Sequence, residues 1–172
     1  MSGARTRSPA RRPGLLAELA ALGLLVRPEH APSDGASLPA LCAAGALEGG
    51  LSVALDVRPD ELLGPLCLRI GGQAQALRVV DVRAQPPELW VQGTEGVERW
   101  PTPDLRALVK RLNARFRDSG EVRAVAVLGK WEDAQQLWCI PKSALGTLLT
   151  KRLLRAENMS ELSAGAKRSP RG

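Results

Sequence analysis

Aromatic side chains are almost missing from this chain. Phe116 and four tryptophans, Trp90, Trp100, Trp131 and Trp138, are the whole complement in 172 residues, with no tyrosine. A core must therefore be built from Leu, Val and Ala, and the aromatic pairs on which nucleic-acid modules stack bases are absent. Histidine is scarcer still: His30 stands alone, so a Ser-His-Asp triad or a histidine-rich metal site has no material. Cysteine is limited to Cys42, Cys67 and Cys139, an odd number with no C-x-x-C pair. Zinc-finger and thioredoxin-like readings fall away, and free thiols point to a reducing, cytoplasmic setting. Cys67 and Cys139 lie in apolar runs, where a thiol is expected to be buried and inert. No apolar run approaches the ~18 residues that a membrane-spanning helix needs.

What is present suits a folded domain. Hydrophobic residues make up 44% and charged residues 24%, enough of both for a buried core under a charged surface. The net charge of +6 is unevenly placed. Residues 1–13 carry +4 and residues 142–172 carry +5, while 14–141 hold 13 basic against 16 acidic groups, a net of −3. The basic surplus therefore belongs to the ends. Arg11-Arg12 before the apolar stretch from Leu15 to Val26 has the layout of an export or transit signal, but Glu18 inside a short stretch favours an amphipathic helix.

Along the chain, residues 1–13 are expected to form a basic disordered arm, 14–27 an amphipathic helix carried by Leu15, Leu19, Leu22 and Val26, and 28–50 an Ala/Gly/Pro-rich linker. An α+β domain is predicted over 51–155 and a basic disordered tail over 156–172. Within the domain, Leu51, Val53, Leu55 and Val57 alternate with polar or small residues, as in a strand with one solvated face. Leu66 to Ile70 reads as a second strand, with Gly71-Gly72 as a hairpin turn to a third over 75–83. Strands over 88–92 and 97–100 complete a meander. Thr102-Pro103-Asp104 predicts a helix start with Thr102 as cap, the helix running over 103–116. An interior strand is expected over 122–128, a loop over 129–134, a strand over 136–140 and a last helix from Pro141. The fold class is α+β: a single domain with a mostly antiparallel sheet of about five to six strands, helices on one face, and a preceding helix and linker.

Three functional readings follow. The first is a non-enzymatic protein-interaction module, adaptor or chaperone-like, whose partner contacts involve Trp131, Trp100 and Trp138, since tryptophan concentrates at interface hot spots. A protein partner is expected, and a second copy of the chain is one candidate for it. The second is a nucleic-acid-associated accessory protein. It would use Arg106, Lys110, Arg111 and Arg115 on helix 103–116, joined by Arg11, Arg12, Lys167 and Arg168 from the ends. The third is an enzyme centred on Asp81, an acid inside an apolar strand, or on Cys139. Against it, no acid/base pair, nucleophile and base, or metal set has a recognisable spacing. Gly45 to Gly50 lacks the Lys-Ser/Thr ending of a phosphate loop, and the pattern calls for no cofactor or metal.

Overall fold

The computed structural model describes residues 14–27 and 36–167. The basic arm at 1–13, part of the predicted linker at 28–35 and the last residues, 168–172, lie outside the described residues. Helix α1, Leu15–Ala21, ends well before Val26 because the chain turns at Gly23, whose φ is 72°. Residues 24–26 then run beside 46–48, with Val26 N–H donating to Ala46 O and Glu48 N–H to Leu24 O. Helix α2, Leu38–Ala43, starts at Ser37, whose hydroxyl accepts from the Ala40 amide. The 38–47 stretch, read from composition as linker, buries Leu38, Leu41, Cys42, Ala46 and Leu47.

Strand β1, Gly50–Ala54, covers only the first half of the predicted alternation, stopping before Leu55 and Val57, and its neighbour is not the 66–70 segment. That segment is the end of helix α3, Pro59–Ile70. Pro59 opens the helix, Asp60 and Glu61 sit at the positive end of its dipole, and Leu62, Leu63, Leu66, Cys67 and Ile70 bury one face. Gly71, at φ 78°, ends it and leads into a 3-10 turn, Gly72–Ala76. The expected hairpin is therefore a helix terminus.

Strands β2, Arg78–Ala84, β3, Pro87–Gly93, and β4, Gly96–Pro101, form only the last three strands of the predicted meander. Helix α4, Leu105–Arg115, starts two residues later than expected: Asp104, not Thr102, is the cap, accepting from the Ala107 amide at 2.8 Å. Thr102 is instead buried, its hydroxyl donating to Trp100 O. Strand β5, Ala124–Trp131, continues through the first half of the predicted loop and turns tightly at Glu132-Asp133 into β6, Ala134–Ile140. Helix α5, Lys142–Thr150, follows. The stretch after Ala156, expected to lack structure, forms helix α6, Met159–Lys167.

The α+β domain thus holds its six strands in two antiparallel sheets, β1-β6-β5 and β2-β3-β4. The first sheet is central. Val125, Val127, Leu137 and Cys139 face a cluster completed by α3, α4 and the meander, including Trp100. Ala126, Leu128, Trp138 and Ile140 face a second cluster completed by α1, α2, α5 and α6. Each fully buried Leu in these clusters contributes about 1.5–3 kcal/mol, so a core without Tyr and with one Phe is built by number rather than by size.

The outer edge of β5 is closed without a strand. Asn113 of α4 accepts from Val125 N–H at 2.9 Å and donates to Val125 O at 3.0 Å. Asn158 accepts from Val127 N–H and donates to Val125 O, both at 2.9 Å, and the Glu157 amide donates to Val127 O. Two side-chain amides imitate the ladder of a neighbouring strand, and the edge is occupied at Val125 and Val127.

Candidate functional site

The four tryptophans have separate fates. Trp100 and Trp138 are both fully buried, on opposite sides of the central sheet, and Trp138 Nε1 donates to Glu48 O at 2.8 Å. Neither offers a surface to a partner, which corrects the grouping of Trp100 and Trp138 with Trp131. Their strands lie near one another in sequence order, but alternation turns their side chains inward. Trp90, which the sequence reading passed over, lies between Arg83 and Arg99, whose guanidinium carbons are 4.9 and 5.5 Å from its ring centre. Its Nε1 donates to Glu88 at 3.0 Å, so the half-buried ring has two cation contacts and a hydrogen bond within its own sheet. Trp131 alone remains open, 40% exposed beside the β5–β6 turn and without a hydrogen bond or cation partner among the described residues. Its pairing with Ala134 puts it on the same sheet face as Leu128 and Trp138. At that end of the sheet Ala54 pairs with Ala134, and the next residue, Leu55, is 52% exposed.

The basic face of α4 is largely compensated. Arg106 bonds Glu157 at 2.9 Å, and Arg115 and Arg111 converge on Glu98 at 3.0 and 3.8 Å. Arg111 also covers the Trp100 ring and Arg115 the Phe116 ring. Lys110 is the one member of this set without an ion pair among the described residues. Lys167 is the last residue of α6, far along the chain from α4, while Arg11, Arg12 and Arg168 lie outside the described residues.

Asp81 does not sit in an apolar interior. Its carboxylate bonds Arg83 Nε at 2.7 Å and accepts from the Val82 amide, and these bonds, the Arg83 one foremost, hold it below the usual carboxylate range. An ionised, arginine-paired surface acid is a weak base near neutrality. Cys139 is fully buried, and burial pushes its thiol up to about 12, so the sulfur is protonated and out of reach. Among the described residues no group of three His, Cys, Asp or Glu side chains is close enough to hold a metal ion, and no helix is long and apolar enough to cross a membrane.

One open cavity, of about 430 Å³, lies on the Trp131 face of the central sheet. Its walls are Leu15 at the start of α1, Ser37, Leu38 and Pro39 at the start of α2, Leu128 of β5 and Leu153 after α5. Arg152 and Arg155 complete the lining. No single stretch of sequence signals this cavity, because four separate segments build it. No protein-family model, curated protein or solved structure matches the chain.

Proposed function

We propose that the chain is a non-enzymatic interaction module whose contact with a protein partner is anchored by Trp131. The observation that carries this reading is the contrast among the tryptophans: three are buried or clamped, while Trp131 stands 40% exposed on a tightly turned hairpin. A rigid indole on a strand end offers a large apolar contact at small entropic cost, and Lys130, Glu132 and Asp133 supply a polar rim around it. Ala54 and Ala134 lie beside it on the same sheet face. Nucleic-acid contact through α4 is less well supported, since Glu98 and Glu157 already engage three of its four cations.

The test compares affinity capture by the full-length protein with capture by Trp131→Ala. Because the side chain is outside both buried clusters, the variant should melt within a few degrees of the parent yet retain its partner at least about tenfold less well. Leu68→Ala serves as control, for Leu68 is 69% exposed on α3 and contributes apolar surface elsewhere. Equal capture by parent and Trp131→Ala, or equal losses in both variants, would remove Trp131 as the anchor.

A further inference from the structure

Helix α5 ends in an unusual way. Leu153 N–H donates to Leu148 O at 2.9 Å and Arg152 N–H to Leu149 O at 3.2 Å, the paired bonds of a Schellman ending. The residue that must then adopt the left-handed conformation is normally glycine; here it is Arg152, at φ 55°. Backbone strain of this kind persists only where the surrounding structure imposes it, as it also does at Arg27 and Glu132. Arg152 lines the 430 Å³ cavity, as does Arg155, and neither has an ion pair or a side-chain hydrogen bond among the described residues. The neighbouring acids are engaged elsewhere: Glu18 by Lys151 at 2.8 Å, and Glu157 by Arg106. Two guanidinium groups therefore border a hollow lined otherwise by leucines, Pro39 and Ser37, with no carboxylate bonded to either among the described residues.

We propose that this cavity binds a single-chain amphiphile with a carboxylate head, a free fatty acid, its tail lying along Leu15, Leu38, Leu128 and Leu153 and its head meeting Arg152 and Arg155. The volume falls within the range of small-ligand pockets, about 300–1,000 Å³. An amphipathic helix would require a longer groove with anchor points spaced over several turns, so a peptide fits this hollow less well. Guanidinium forks match the planar carboxylate through paired charge-assisted bonds and repel a cationic head. The proposal is independent of the interaction reading, since Trp131 is not part of the cavity wall.

Calorimetric titration of the full-length protein with dodecanoate, kept below its micelle-forming concentration, should show one saturable site. Methyl dodecanoate and dodecyltrimethylammonium should bind at least about tenfold more weakly, because each lacks the charge that the arginines answer. Arg152→Gly should weaken dodecanoate by about tenfold while raising the melting temperature, a combination that damage to the fold cannot produce. Arg155→Gln should also weaken it, Leu15→Trp should block it by filling the cavity, and Trp131→Ala should leave it unchanged. Equal binding of the three head groups, uptake without saturation, unchanged affinity in the arginine variants, or binding of an acidic amphipathic peptide but not of dodecanoate would each overturn the proposal.

Discussion

At the scale of single residues, the thiols show how burial sets chemistry. Cys67 is 3% exposed and Cys139 is fully buried, and loss of solvation pushes them up to about 11 and about 12 from an ordinary 9.0. In the unfolded chain both ionise near 9.0, whereas in the native protein both hold their protons well beyond it. Above that pH the unfolded state therefore binds fewer protons than the native one, and stability falls as pH rises, by up to about 1.4 kcal/mol per pH unit for each such thiol. The urea midpoint should drop between pH 8 and pH 10, and Cys139→Ala should flatten the decline. Burial of Cys67 and Cys139 was legible in their apolar surroundings. The fate of each tryptophan was not, because exposure depends on which strand face looks inward: Trp131 and Trp138 share one face, yet only Trp138 is covered by helices.

At the scale of elements, ends decide more than interiors. Lys142 opens α5, yet its ammonium serves the far end of α4, donating to the carbonyls of Phe116, Arg117 and Ser119. A cation at this negative pole satisfies carbonyls that have no helical partner of their own. Lys142→Met should cost about 1–3 kcal/mol, read as a lower urea midpoint at unchanged slope. The meander β2-β3-β4 and the start of β1 were legible because their patterns are local; β5 and β6 were legible as apolar strands, but their direct pairing through a tight turn was not. Helix α3 was not, for Gly64 and Pro65 interrupt it and leave Leu66 to Ile70 looking like a short apolar strand. Only a window reaching back to Pro59 shows the helical spacing. Helix α6 escaped for a similar reason: its apolar content is slight, and a tertiary anchor, Asn158, determines where it lies.

For the whole molecule, the boundary of the fold matters to any experiment on the basic ends. Asn158 is 1% exposed and Leu162 2%, so the start of α6 belongs to the core. A chain ending at residue 167 should melt as the full-length protein does. One ending at residue 156 should lose about 3–5 kcal/mol, measured by circular dichroism, because the β5 edge and part of the α5–α6 cluster are exposed together. The pairing of β1 with β6 has a consequence in time. Gly50 finds its strand partner only in Trp138, and Trp138 reaches back across 90 positions to Glu48. A nascent chain that has emerged from the ribosome only as far as α4 can hold a finished meander, while β1 and the buried leucines of α1 and α2 still await the strand that will seat them. Between the emergence of β4 and that of β6, this protein has a periphery before it has a centre.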